Sequence, residues 1–220
     1  MPPFDFKPTR SGKLVIMTAA ENLPVNHHAD HPGFSGPMGA LVGLVLMLMG
    51  RPSARLAADL AEVSAADTVV DIGCGPGSAV REAVRRGAVA TGVDPAPVML
   101  RLARMFTPDG SVAWTTGTAE RVPLSDQSAT VVWSLATVHH WQDVGDGLSE
   151  AARLLVPGGR LLAVERQTKP GATGLASHGW TRRQADAFAE LCRSAGFVDV
   201  TVGGHKAGRR DVWAVRAVRP

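Results

Sequence analysis

The sequence has little cysteine and no apolar run long enough to cross a membrane. Its 220 residues include two cysteines, Cys74 and Cys192, which lie far apart, so a disulfide framework is not indicated and a reducing compartment is expected. The longest apolar run, residues 38–49, has about 12 residues and includes two glycines, whereas a bilayer span needs roughly 20. Another apolar run, residues 14–17, is too short for the core of a secretion signal. We therefore expect a cytoplasmic protein without a membrane span.

The chain also lacks a strongly basic or acidic block. Its net charge is +3, and the excess of arginine is spread along the sequence. The nearest approach to a basic patch is the group His205, Lys206, Arg209 and Arg210. Solvated side chains on a final hairpin and a surface for an anionic partner would both give this pattern. Because scattered charge offers little surface to phosphates, we expect no nucleic-acid partner.

From Thr68 onwards, short β-branched apolar runs alternate with helical patterns. The predicted strands cover residues 68–72, 89–93, 111–115, 129–135, 160–165, 197–202 and 212–218. The predicted helices cover residues 38–49, 53–62, 78–86, 96–106 and 148–155, with a last helix between residues 181 and 196. This alternation predicts a parallel sheet covered by helices on both faces. The length fits one such domain, at residues 51–220, after an N-terminal segment and helix at residues 1–50.

Particular residues predict where helices begin and end. Ser53 is placed to cap the second helix. In the last helix, Thr181 and Gln184 form a capping box and Gly196 acts as the stop. The inward stripe of that helix is predicted to consist of Phe188, Leu191, Cys192 and Ala195. Cys192 is therefore expected to be a core thiol.

A glycine-rich turn stands where the first predicted strand ends and a helix begins. It reads Asp71-Ile72-Gly73-Cys74-Gly75-Pro76-Gly77. Glycines in such a turn allow positive φ angles and let a ligand approach the backbone, while the following helix offers unpaired N–H groups. The spacing G-x-G-x-G is shorter than the G-x-G-x-x-G of dinucleotide sites, which favours a ligand without a pyrophosphate.

An acidic residue follows the next predicted strand. Asp94 lies 23 residues after Asp71, about the offset at which a carboxylate reaches a ribose diol in Rossmann-like sites. The alternative is that Asp94 only caps the helix that starts near Pro95. Its pairing with the glycine turn favours ribose binding.

Five ordered segments resemble class I S-adenosylmethionine-dependent methyltransferases. They are the glycine turn, Gly92–Pro95, Gly117–Leu124, Val132–Trp141 and Ala152–Leu162. The closest subgroup is the one that resembles ubiquinone- and menaquinone-biosynthesis methyltransferases. The resemblance implies S-adenosyl-L-methionine as the cofactor. It also implies a Rossmann-like three-layer α/β sandwich, whose mostly parallel seven-stranded sheet has an antiparallel C-terminal strand.

The resemblance assigns residues to each part of the cofactor. The amino acid end would be held by Asp71, Gly73, Cys74, Gly75 and Gly77. Asp94, followed by Pro95, would bind the ribose, and Ser134 belongs to the same site at the end of the fourth strand. Thr118, Ala119 and Glu120 would face the adenine, with Thr118 standing where family members often have Asp. The resemblance also implies that residues 1–50 cover the cofactor site.

His139, His140 and Trp141 follow the fourth strand, at the carboxyl edge where ligands bind in open α/β folds. A histidine there has a pKa suited to taking a proton from a substrate hydroxyl. Alternatively, one ring of the pair only braces the loop. His140 is our first choice for a general base, with His139 as the second, and Trp141 is expected to close the substrate pocket.

A second histidine cluster lies near the N-terminus, in Asn26-His27-His28-Ala29-Asp30-His31-Pro32-Gly33-Phe34. A metal site, an ordinary loop and a substrate pocket are all compatible with these residues. A metal is disfavoured because His28 and His31 are followed by no third ligand at comparable spacing. If the segment forms a substrate pocket, His28 and His31 are its candidate contacts, together with His178 of the glycine-rich stretch 167–180.

The predicted reaction is direct in-line methyl transfer to an oxygen or carbon of a small molecule, without a required metal. The alternatives are a non-catalytic S-adenosylmethionine-binding module, a nucleic-acid methyltransferase and a nicotinamide-dependent oxidoreductase. The nucleic-acid methyltransferase lacks support because Ser134-Leu135-Ala136-Thr137 is not the Asn/Asp-Pro-Pro-aromatic signature of exocyclic-amine methylation. The short glycine spacing disfavours the oxidoreductase. No sequence feature indicates an oligomeric state.

Overall fold

The computed structural model describes residues 25–29, 36–107 and 112–220. The helices are α1 (Gly36–Met49), α2 (Arg51–Leu60), α3 (Ser78–Arg85), α4 (Pro97–Met105), α5 (Val144–Leu154) and α6 (Arg182–Ser194). The strands are β1 (Thr68–Ile72), β2 (Val89–Asp94), β3 (Val112–Thr116), β4 (Ala129–Leu135), β5 (Leu155–Arg166), β6 (Val198–Ala207) and β7 (Arg210–Val218). Short 3-10 helices cover Val138–His140 and Gly174–Ser177. The predicted run at residues 14–17 lies outside the described residues.

The strands form one seven-stranded sheet in the order β3-β2-β1-β4-β5-β7-β6. The pairs β2–β3, β1–β2, β1–β4 and β4–β5 are parallel, while β7 runs antiparallel to both of its neighbours. The predicted fold class is therefore confirmed. Because β1, β2, β4 and β5 run the same way, the loops after them meet at one edge of the sheet.

Each face of the sheet carries its own apolar core. One core includes Leu148 of α5 and Phe188 of α6, both fully buried. The other includes Ala57 of α2 and Val80 of α3, which are also fully buried. The sheet thus forms the middle layer of three, and its strands are nearly continuous in apolar residues because both of their faces are covered.

Two predicted helix starts are wrong. Helix α2 begins at Arg51 and not after Ser53, and Gly50 is at the N-cap position. Pro52 suits the first turn, because N–H groups there have no partner within the helix and proline has none to leave unpaired. Helix α5 begins at Val144, four residues before the predicted start, because the side chain of Asp143 accepts a hydrogen bond from the N–H of Asp146.

Helix α6 has the predicted capping box of Thr181 and Gln184, but not the predicted inward stripe. Leu191 is 38% exposed, and Ala195 lies beyond the end of the helix. The buried positions are Gln184, Ala185, Phe188, Ala189 and Cys192. The same helical spacing is kept, but the stripe is rotated so that small residues lie against the sheet.

The last three strands are longer than predicted. Strand β5 begins at Leu155, five residues before the predicted start, and includes Pro157, Gly158 and Gly159, with a shift in its register against β4. Strands β6 and β7 form one hairpin that turns at residues 208–209. The basic group sits on this hairpin, where Lys206, Arg209 and Arg210 are exposed and the Lys206 ammonium contacts the Asp211 carboxylate at 2.9 Å.

Candidate functional site

The glycine turn after β1 has the predicted backbone. Gly73, Gly75 and Gly77 have φ angles of +75°, +52° and +81°. A Cβ atom on Gly73 would meet the Thr137 side chain, and one on Gly77 would meet the Trp114 ring 2.2 Å away. A Cβ atom on Gly75 would meet nothing within 4 Å. The outer glycines are therefore required by packing, whereas the middle one leaves room for a ligand against the backbone.

Asp94 is directly joined to this turn. Its Oδ2 accepts a hydrogen bond from the N–H of Gly75 at 2.8 Å, and its Oδ1 accepts one from the N–H of Ala96 at 2.8 Å. The adjacency follows from the parallel pairing of β1 and β2, in which Asp71 is opposite Gly92. The carboxylate thus holds the start of α4 and also lies against the glycine turn, so the two interpretations of Asp94 are compatible.

Asp71 and Asp94 form a buried acidic pair. Asp71 is 2% exposed, and burial together with the negative charge of Asp94 raises its pKa to about 8. Burial also raises the pKa of Asp94, although two backbone N–H groups act in the opposite direction. In the described part of the chain neither carboxylate has an ion-pair partner. A cationic ligand would relieve this repulsion, and S-adenosylmethionine carries both a sulfonium and an amino group.

Other residues assigned to the cofactor lie around this pair. Cys74 is buried, and burial raises the pKa of its thiol well above the usual range, while Pro95 is exposed. Ser134 is buried and shares a short hydrogen bond with the Thr137 hydroxyl. That hydroxyl also contacts the carbonyl of Ile72 at 3.1 Å. Sequence reasoning did not single out Thr137, which supports the glycine turn.

The adenine-side residues are arranged less simply. Thr118 is exposed, and its N–H donates to the carbonyl of Arg121 at 3.2 Å, while Ala119 is buried. Glu120 Oε1 accepts hydrogen bonds from the N–H groups of Gln142 and Asp143, at 2.8 and 3.2 Å. The Glu120 side chain is thus bound to the loop before α5, where the sequence predicted a contact with adenine.

Five of the seven histidines meet in one place, which we call the histidine cluster: His27, His28, His139, His140 and His178. The ring centroids of His139 and His140 are 4.1 Å apart, and those of His28 and His178 are 4.2 Å apart. The cluster lies beside the glycine turn, because Thr137, which packs on Gly73, immediately precedes the 3-10 helix of His139 and His140. The structure therefore brings the predicted catalytic residues together with two of the predicted substrate residues.

His139 is held by a buried acid. Its Nδ1 lies 2.9 Å from Oε2 of Glu165, with the two side chains 2% and 0% exposed. Since a carboxylate accepts, Nδ1 carries the hydrogen, and in the neutral ring Nε2 carries the lone pair. Nε2 is buried and has no hydrogen-bond partner among the described residues. Sequence reasoning missed Glu165, although one acid at the end of the apolar run 161–164 was a usable signal.

His140 is oriented by the N-terminal segment. Its Nδ1 lies 3.2 Å from the carbonyl oxygen of His28 and donates to it. Burial, with the nearby His139 as the second cause, lowers the pKa of His140 to about 4. The ring is therefore neutral at physiological pH.

Residues 25–29 lie across the cluster. The N–H of His28 donates to the carbonyl of His139 at 2.9 Å, and Asn26 Nδ2 donates to the carbonyl of Trp141 at 3.0 Å. At the other side, the indole of Trp180 donates to the carbonyl of Val25 at 2.9 Å. His31, also predicted to contact substrate, lies outside the described residues.

Trp141, which was predicted to close the substrate pocket, lies in one of the apolar cores. Its side chain is 5% exposed and packs edge-on against Phe188, with ring centroids 6.4 Å apart. A Cβ atom on Gly147 would lie 2.5 Å from the indole ring. Trp141 thus belongs to the core beside α5 and α6.

None of the described helices is long and apolar enough to cross a membrane. A family described as a methyltransferase domain matches residues 70–163. Over 113 residues the chain is 42% identical to an uncharacterized methyltransferase of Mycobacterium tuberculosis, which covers 51% of this chain and 45% of that protein. Over 112 residues it is 32% identical to a demethylmenaquinone methyltransferase of Tropheryma whipplei, covering 50% and 46%. The matches thus span less than half the length of these relatives.

The fold is shared with solved methyltransferases. Phosphoethanolamine N-methyltransferase 2 of Haemonchus contortus, whose structure contains S-adenosylhomocysteine, aligns with a TM-score of 0.69 and 17% identity, over 89% of this chain and 60% of that one. The matched segment contains the glycine turn, the acidic pair and His139. Residues 70–163 therefore match a methyltransferase domain within a fold shared with solved methyltransferases, and these similarities support S-adenosylmethionine as the cofactor.

Proposed function

We propose that the chain transfers the methyl group of S-adenosylmethionine to an oxygen or carbon nucleophile of a small molecule bound at the histidine cluster. The observation that carries the proposal is His139, whose buried Nε2 has no partner among the described residues. His139 lies two residues after Thr137, which supports the glycine turn. A nitrogen lone pair held in this way can activate a substrate hydroxyl, which must lose its proton to become a good nucleophile.

The cofactor would supply an electrophilic methyl group on a positively charged sulfur. The Asp71–Asp94 pair and the open side of Gly75 would bind it, as the charge and the space around them favour. The histidine cluster would orient the nucleophile, and residues 25–29 would exclude water from above it. Alignment of two reactants can lower a barrier by about 7–11 kcal/mol, so positioning is the main contribution expected of the chain.

Of the two histidines predicted to act on the nucleophile, we assign the role to His139. The Glu165 carboxylate accepts from Nδ1 of His139, so in the neutral ring the Nε2 lone pair is available. Nδ1 of His140 donates instead to a backbone carbonyl, that of His28. Such a lone pair can accept the proton of a substrate hydroxyl or coordinate a metal ion. Both routes make a hydroxyl a better nucleophile.

A small-molecule substrate is supported by two observations. The relative from Tropheryma whipplei is named for demethylmenaquinone, a small molecule. The positive charge of this chain is mild, and Lys206 of the basic hairpin, although exposed, is paired with Asp211. We keep a cytoplasmic location as part of the proposal, since both cysteines are free and buried.

The test compares His139→Gln with His205→Gln, a substitution on the β6–β7 hairpin. Formation of S-adenosylhomocysteine is measured over a panel of small phenols, quinols and enols, and cofactor binding is measured by calorimetry. We expect His139→Gln to lower turnover by about 10²–10⁴-fold with unchanged cofactor affinity, and His205→Gln to do neither. Equal turnover by the wild type and His139→Gln would contradict the role of His139. Absence of turnover on every compound, with normal cofactor binding, would favour the non-catalytic module.

A further inference from the structure

We propose that His139, His140 and His178 bind a divalent transition-metal ion, such as zinc, which holds the oxygen of the substrate. This inference rests on the proposed function for the placement of the substrate. One ring nitrogen from each of the three histidines lies within 4.8 Å of the other two. Two of the residues follow β4 and the third lies in the loop between β5 and α6, so the group is formed only by the fold.

The spacing of the nitrogens is close to that of a bound ion. Zinc–nitrogen bonds of about 2.0–2.1 Å place two imidazole nitrogens of a tetrahedral site about 3.4 Å apart. The ring nitrogens, which lie within 4.8 Å of one another, therefore need to approach by up to about 1.4 Å, which side-chain rotation can provide. His178 is anchored for this, because its carbonyl accepts a hydrogen bond from Arg166 Nε at 3.0 Å and the next peptides pair with the end of β5.

Two of the three histidines, His139 and His140, have the outer contacts that metal-binding histidines usually make. A ligating imidazole usually donates its other N–H to a carboxylate or a backbone carbonyl, which fixes the tautomer and orients the ring. His139 does so to Glu165 at 2.9 Å, and His140 does so to the carbonyl of His28 at 3.2 Å. Of these, His139 Nε2 is buried without a hydrogen-bond partner among the described residues, and in a protein interior such an atom is costly unless something binds it.

The ligand set indicates the class of metal. Imidazole suits zinc, copper, nickel and iron, whereas magnesium and calcium prefer oxygen ligands. Three protein ligands leave a position open, as in catalytic zinc sites. A substrate hydroxyl bound in that position would have a lowered pKa and would lose its proton to solvent. Its oxygen would then form the bond to the methyl carbon. As that bond forms, the bond from sulfur to the same carbon breaks, and sulfur keeps the electron pair.

The experiment is a metal titration of the full chain after treatment with a chelator. Cobalt(II) is followed by its visible absorption and zinc by calorimetry, both without substrate. We expect one ion per wild-type chain and loss of saturable binding in His139→Gln and in His178→Gln. His178 is only partly buried, so its variant tests the site even if His139→Gln fails to fold. His205→Gln, which changes a histidine outside the cluster, should bind as the wild type does.

Two further variants separate this inference from the proposed function. Glu165→Gln keeps all three ligands but loses the charged acceptor, so we expect the metal affinity to fall about 10–100-fold. Asp94→Asn should lose cofactor binding and keep metal binding. The inference is overturned if the wild type binds neither cobalt nor zinc saturably, or if His178→Gln binds them as tightly as the wild type.

Discussion

Replacing Asp71 with asparagine should stabilise the cofactor-free protein while weakening cofactor binding. Asp71 is 2% exposed and lies beside Asp94, and together burial and that charge raise its pKa from 3.8 to about 8. An acid whose pKa is higher in the folded than in the unfolded state favours folding less as the pH rises between the two values. Asparagine has the same shape and no such dependence.

The free-energy cost of burying Asp71 follows from the interval between its ordinary pKa and the pH of the experiment. Each pH unit within it corresponds to about 1.36 kcal/mol. At pH 7 the unfolded chain carries Asp71 as the anion, while the folded chain must keep it protonated. This difference costs the wild type about 4 kcal/mol at pH 7, given the ordinary value of 3.8 and the folded value of about 8. The cost stops growing above about pH 8.

Urea denaturation at several pH values measures this directly. Between pH 5 and pH 7 the free energy of unfolding of Asp71→Asn should gain about 3 kcal/mol on that of the wild type. Asp126→Asn, which removes an exposed carboxylate, is the control for losing one negative charge. Calorimetry with S-adenosylmethionine should show weaker binding by Asp71→Asn. A stability difference that stays constant from pH 5 to pH 8 would refute the account of Asp71.

Three further substitutions test the site and the core. Gly75→Ala and Gly158→Ala both place alanine at a positive φ with open space around it, so each should cost about 1–2 kcal/mol of stability, yet only Gly75→Ala should weaken cofactor binding in calorimetry. Thr137→Val leaves the buried Ser134 hydroxyl without its partner and should cost about 1–3 kcal/mol in urea denaturation; unchanged stability would contradict the support assigned to it. Phe188→Ala should cost about 3–5 kcal/mol, since the ring is fully buried, and a loss below 1 kcal/mol would be inconsistent with the described core.

The sheet was predictable because its strands carry a strong local signal. Both faces are buried, so the strands are short apolar runs that stand out against the helices. The errors lie where a local choice depends on its neighbours. Asp143 and Ser53 are both good capping residues, but only Asp143 is used, because Pro52 already favours a start before Ser53. The rotation of α6 that exposes Leu191 depends on how small residues fit the sheet, which periodicity alone does not specify.

The two halves of the candidate site differ in how far sequence could predict them. The glycine turn and Asp94 follow adjacent parallel strands, so topology alone brings them together. The histidine cluster depends on two long connections whose paths are set by packing. His28 and His178 were recognised separately, but spacing within one segment could not show that they meet His139. For the same reason a metal was disfavoured on the sequence alone.

The acidic pair at the cofactor site and a metal ion at the histidine cluster differ in charge, so the two ligands should affect each other's binding. The acidic pair favours a positive ligand, whereas an ion at the histidine cluster would itself be positive. Without an anionic substrate between them, a metal ion and the sulfonium of S-adenosylmethionine repel each other, so each should weaken the binding of the other by the same factor. S-adenosylhomocysteine lacks the methyl group, so its sulfur is uncharged, and it is otherwise the same ligand. Cobalt affinity should therefore be lower in the presence of S-adenosylmethionine than in the presence of S-adenosylhomocysteine, and equal affinities would place the metal away from the transferred methyl group.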